Sequence, residues 1–167
     1  MGNISEIDIG EYAPGLYKDL VTMRQNVKNS QGNWQNHRTV MNPGPTVGFH
    51  VYRLEWSPGR LIYKIDGVET LRTTISVPNT PMFLVIGNGG VEDTISGPIT
   101  DTELPIEMLV DYARVCSKPT APCGPSDPSL IFDDEFTAAA PTPRRSGNTR
   151  RGSEPGRSLH YPGHGVE

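Results

Sequence analysis

No run in this chain of 167 residues approaches the roughly 20 apolar residues of a membrane-crossing helix, and membrane is not expected as a partner. Met1 is not followed by a basic stretch and an apolar core, so no secretory leader is expected here. Apolar residues reach only 35% and aromatics 7%, which allows one domain with a modest core. There are two cysteines, Cys116 and Cys123. They are too few for a disulfide scaffold, and no second Cys or His pair accompanies them to hold zinc. One short-loop disulfide and two free thiols both remain open. Positive charge is scarce as well. Residues 1–136 carry a net −7, and residues 137–167 a net +3. An acidic body is a poor partner for nucleic acid. No long stretch repeats with helical period.

Turn formers and short strand patterns are abundant. With 18 Gly and 16 Pro, the chain is punctuated too often for long helices. "ISEIDIGEY" (4–12) reads as a strand, and "DLVTMRQNV" (19–27) as another after a Pro-Gly turn at 14–15. "GFHVYRLEW" (48–56) alternates Phe49, Val51, Arg53 and Glu55 with His50, Tyr52, Leu54 and Trp56. "LIYKID" (61–66) runs back after a turn at 57–60, and Asp66-Gly67 turns into "VETLRTTISV" (68–77), predicting an antiparallel meander. "PMFLVIG" (81–87) predicts a strand buried on both faces, and "PIEMLVDYARVC" (105–116) a further strand. The expected class is all-β, an antiparallel β-sandwich. Residues 1–116 form its body, 117–129 a Pro-rich linker, 130–136 ("LIFDDEF") a strand-like island, and 137–167 a disordered tail.

The first strand carries Glu6, Asp8 and Glu11 within six residues, although acidic side chains are poor strand formers. Alternation puts Glu6 and Asp8 on one face and Glu11 on the other. A β-bulge at Ile9 or Gly10 would return Glu11 to the face of its neighbours, and Gly10 is where such a bulge costs least. Three carboxyl groups on one face suit glycoside chemistry. One attacks the anomeric carbon, one protonates the leaving oxygen, and a third between them helps hold their pKa values apart.

"EIDIGEY" resembles the catalytic strand of glycoside hydrolase family 16, the laminarinase and lichenase group. "FHVYRLEWSPGRLIYKIDGVETLRTT", "PNTPMFLVI" and "LPIEMLVDYARVC" resemble later segments of that family, in its order, so the likeness covers residues 4–116. It implies a concanavalin-like jelly roll. It also implies retaining, endo-acting hydrolysis of a β-linked polysaccharide, glucan or galactan, in an extracellular setting. By motif position Glu6 is the expected nucleophile, Glu11 the general acid/base and Asp8 the supporting carboxylate. The sheet that normally precedes the catalytic strand is absent, so the sandwich is expected to be incomplete at its N-terminus. "VTMRQN" has Arg24 and Gln25 where many members place a His. The alternative is a sandwich remnant without catalysis, carbohydrate-binding or inert.

Tyr12, Tyr17 and Trp34 are candidates for stacking on sugar rings, against the plainer role of packing. Tyr12 and Trp34 are taken as substrate-binding, Trp34 because it stands in the polar stretch "SQGNWQNHR", read as a loop. Trp56 reads as core. His50 has no evident acid partner and reads as structural. Asp111 matches a position that helps hold calcium in some family members, but the other oxygens would come from the absent sheet, so no metal and no cofactor are expected. The Arg pairs 144–145 and 150–151 read as a solvated tail. Oligomeric state is left open. "LIFDDEF" resembles the opening strand of a domain of the same family, and is expected to pair back beside 105–116.

Overall fold

The computed structural model describes residues 4–87, 107–118 and 123–137. The disordered tail expected over 137–167, Thr137 apart, lies outside these residues. Two compact units divide the chain: Met1–Thr80 with Gly89–Ile106, and Pro81–Asn88 with Glu107–Glu167.

The first unit holds two three-stranded antiparallel sheets. One orders β1 (Glu6–Tyr12), β2 (Thr22–Lys28) and β3 (Trp34–Val40). The other orders β4 (Tyr52–Ser57), β5 (Arg60–Ile65) and β6 (Val68–Thr73). Between β1 and β2 the expected Pro-Gly turn is a single helical turn, α1 (Pro14–Tyr17). Asp19 then starts β2 by accepting the amides of Val21 and Thr22 and the Thr22 hydroxyl on its carboxylate. The β5–β6 hairpin turns on Asp66 and Gly67, both at positive φ (51° and 81°), as a type I′ turn requires.

The core lies where the sheets face each other. Val27 of β2 and Leu61 and Tyr63 of β5 are fully buried, flanked by Ile7, Leu54, Leu71 and Val77. Burying Val27 and Leu61 contributes about 1.5–3 kcal/mol each. A second cluster joins Met23, Met41 and Ile65. The Tyr63 hydroxyl donates to the Asn26 carbonyl at 2.9 Å, and burial raises its pKa, so the phenol stays a donor. A polar strip shares this interior. Thr39 and Thr70 donate to Gln25 Oε1, and Thr73 to Gln35 Oε1.

The all-β antiparallel class holds, but several elements differ from expectation. "SQGNWQNHR" is no loop throughout, because Trp34–Val40 is a strand paired along its length with β2. Its inward side chains are the polar Gln35, His37 and Thr39, which leave no apolar alternation to read. "PMFLVIG" is neither a strand nor buried. Phe83, Val85 and Ile86 are exposed, and among the described residues no strand pairs with it to cover them. Trp56 is 38% exposed rather than core, its indole N–H reaching the Pro78 carbonyl at 3.0 Å.

In the second unit, among the described residues of "PIEMLVDYARVC", Ala113–Cys116 alone form a strand, β7. It pairs antiparallel with β8 (Leu130–Asp134), so the island does return beside the preceding segment. The connection is stapled, since Cys116 and Cys123 form a disulfide. Arg114 clamps the pair by binding Asp133 at 3.0 Å and also Glu135.

Candidate active site

β1 and β2 pair as Glu6 opposite Lys28, Asp8 opposite Asn26, and Glu11 opposite Arg24. From Asp8 to Glu11 the chain advances three residues while β2 advances two. That extra residue is a β-bulge at Ile9–Gly10, and it restores Glu11 to the side of Glu6 and Asp8. Continuing through β3, Lys28 faces Trp34, Asn26 faces Asn36, and Arg24 faces Arg38. One face of the sheet thus carries all three carboxylates, three cations, two amides and an indole.

Every carboxylate meets its cross-strand partner. Lys28 Nζ lies 3.7 Å from Glu6, and Arg24 3.2 Å from Glu11. Asn26 Nδ2 donates to Asp8 Oδ2 at 2.8 Å. Asn26 is fully buried, and its Oδ1 has no hydrogen-bond partner. The Glu11 pKa is raised. Partial burial is the main cause, the charges of Asp8 and Glu6 add to it, and Arg24 opposes it. A carboxyl group so placed keeps its proton at higher pH than an ordinary glutamate, which is the property a proton donor needs.

Gly10 gives the bulge room. A Cβ there would sit 3.0 Å from Cδ1 of Tyr52. From the interior side, Gln25 Nε2 donates to the carbonyl of Ile9 at 3.2 Å.

Of Tyr12 and Trp34, the two residues taken as substrate-binding, the structure brings only Trp34 to this face. Trp34 is 44% exposed, with the Lys28 ammonium 5.0 Å from its ring centroid. Tyr12 pairs with Met23 on the opposite face and packs on the Met23–Met41–Ile65 cluster, so it stands with the core and not with the carboxylates. Tyr17 lies under the guanidinium of Arg38, 4.5 Å from it. None of the three carboxylates lines the groove that runs between β3 and β6 past Trp34, Asn36 and Arg72. On the carboxylate face Glu6 is exposed, while Asp8 and Glu11 are half-buried. Among the described residues no three His, Cys, Asp or Glu side chains gather closely enough to hold a metal ion.

His50 does have an acid partner. Its Nδ1 lies 2.7 Å from Asp66 Oδ2, and the second Asp66 oxygen accepts the Val51 amide at 2.8 Å. The pairing escaped the sequence because the two residues meet only where the strands close the hairpin. Arg24, Asn26 and Lys28 also went unrecognised as partners of the carboxylates. Their signal was the antiparallel register itself, which, once the bulge is counted, puts every second residue of β2 on the carboxylate face.

A model of the family described as "Glycosyl hydrolases family 16" matches residues 2–101. A curated beta-glucanase from Paenibacillus macerans is 36% identical over 62 residues, covering 34% of this chain. The match spans only 26%, about a quarter, of that protein's length. No solved structure matches. With the family model covering more than half of the sequence, including the whole bulged strand and both sheets of the first unit, this chain belongs to family 16 of the glycosyl hydrolases.

Proposed function

We propose that the carboxylate face is a retaining glycosidase centre acting within chains of a β-linked polysaccharide, a glucan or galactan, outside the cell. Glu6 is the nucleophile, Glu11 the general acid/base, and Asp8 the carboxylate that supports them. The observation that carries this reading is the bulge, which turns Glu11 to the side of Glu6 and Asp8 where its pKa is raised. In the first step Glu6 attacks the anomeric carbon while Glu11 protonates the departing oxygen. In the second, Glu11 takes a proton from water, which releases the sugar from Glu6. Trp34, exposed on the same face, offers the polymer an aromatic platform.

The test is hydrolysis of a β-glucan such as laminarin. Glu6→Gln abolishes it, because an amide forms no glycosyl ester. Glu11→Gln cripples it on the polysaccharide but less on an aryl glycoside whose leaving group needs no proton. Hydrolysis surviving in Glu6→Gln at the parent rate would sink the assignment.

A second reading, a carbohydrate-binding sandwich without catalysis, draws on the two ion pairs, which tie Glu6 and Glu11 to β2 as a structural face would. Retention of the chain on insoluble β-glucan with no release of reducing ends would favour it.

A further inference from the structure

The bulge decides which way Glu11 points, so whatever holds the bulge holds the site. Ile9 and Gly10 have no partner in the β1–β2 ladder. A backbone carbonyl left out of a ladder and turned inward needs a donor. Gln25 supplies it from the strand alongside. Its side chain is fully buried, and Nε2 reaches Ile9 O at 3.2 Å. The other end of the amide is fixed by two hydroxyls, Thr39 of β3 at 2.9 Å and Thr70 of β6 at 2.7 Å. Those two donors leave only one orientation of the amide, with oxygen toward the threonines and nitrogen toward Ile9. Gln25 touches none of the three carboxylates.

We infer that Gln25 is a positioning residue, a buried amide bolt that locks the Ile9–Gly10 bulge and so keeps Glu11 on the face of Glu6 and Asp8. This rests on the catalytic reading for its consequence but not for its test. Without the bolt, the register of β1 is free to lose its extra residue, and a one-residue slip sends Glu11 to the opposite side of the sheet. The amide is retained in the interior for this register, where an apolar side chain would fill the space but specify nothing.

NMR of the whole chain tests it without any need for turnover. In Gln25→Met, cross-strand contacts between Glu11 and Arg24 are lost, and the carboxyl titration of Glu11 moves down to the ordinary glutamate range. Val27→Ala, a core truncation on the same strand, lowers stability but leaves both readouts at their parent values. Thr70→Val, which removes one of the two donors that orient Gln25, moves both readouts part of the way and serves if Gln25→Met does not fold. Unchanged Glu11–Arg24 contacts and an unchanged Glu11 titration in a folded Gln25→Met or Thr70→Val variant would overturn the inference. So would an equal shift in Val27→Ala. Failure of the catalytic reading is seen separately, as absence of β-glucan hydrolysis by the parent chain with these NMR changes intact.

Discussion

Each sheet of the first unit sets a glutamate among cations, and the two arrangements differ in their charge count. On the second sheet, Glu55 stands between Arg53 at 3.0 Å and Lys64 at 2.6 Å, one carboxylate for two cations. On the first sheet, Glu11 has Arg24 at 3.2 Å, but Asp8 and Glu6 lie along the same face. Both glutamates are shielded in part by their neighbours. Glu11 has Asp8 and Glu6 beside it, and its pKa is raised, by partial burial first and by those like charges second. A carboxylate between two cations ties strands together, whereas one partly buried beside other carboxylates holds its proton more tightly.

The sharpest way to break this comparison is to neutralise one glutamate on each sheet. With Glu6 as the proposed nucleophile, Glu6→Gln should lower hydrolysis of β-glucan at least about a thousandfold. Glu55→Gln should leave the rate within about twofold, because its role is to tie strands. Equal losses, read as initial rates of reducing-end release, would erase the distinction between the sheets.

The sheets depend on one shared core, so Leu61→Ala should cost about 2–5 kcal/mol, read as a lower urea midpoint. A loss near zero would mean that the two sheets do not rely on each other. Replacing Arg24 by Met removes the cation that opposes the raised pKa of Glu11. The Glu11 titration should then move further up, and the alkaline limb of the rate profile with it. A downward move would show that the electrostatic contrast between the two sheets is misjudged.

The smallest expected effect concerns His50 and Asp66. The hydrogen bond that the His50 ring donates to Asp66 raises the His50 pKa and holds Asp66 below the usual carboxylate range. Stability from the raised histidine is complete below its unfolded pKa and is lost as pH rises through the folded value. Stability from the lowered aspartate is complete above its unfolded pKa and is lost as pH falls through the folded value. The pair therefore contributes fully between about pH 4 and pH 6.5, by about 0.2–1 kcal/mol for a partly exposed pair. His50→Gln should flatten the stability profile on the alkaline side of that window. A profile parallel to the parent's would show that the pair is not charged in the folded state.

Much of the first strand was legible in its residues. Isoleucines at 4, 7 and 9 mark an extended segment, and Gly10 marks the bulge, because backbone freedom is written in residue type. The hairpins were readable for the same reason, since Asp66-Gly67 states its own turn. β3 was not readable, because its inward side chains are polar, and two of them, Thr39 and Gln35, find their partners Gln25 and Thr73 at distant positions. "PMFLVIG" misled for the converse reason. Its composition suits a buried strand, but burial requires neighbours, and composition does not supply them.

The sequence by itself determined the all-β class, the order of the hairpins, and the three carboxylates with the glycine that lets them share a face. These are local matters of propensity, alternation and turn chemistry, decided within a few residues. Only the tertiary structure decided which cation meets which carboxylate, that Tyr12 belongs to the core, that Cys116 pairs with Cys123, and that Gln25 reaches the Ile9 carbonyl. Each of those depends on strand register and sheet packing, where residues far apart in the chain become neighbours.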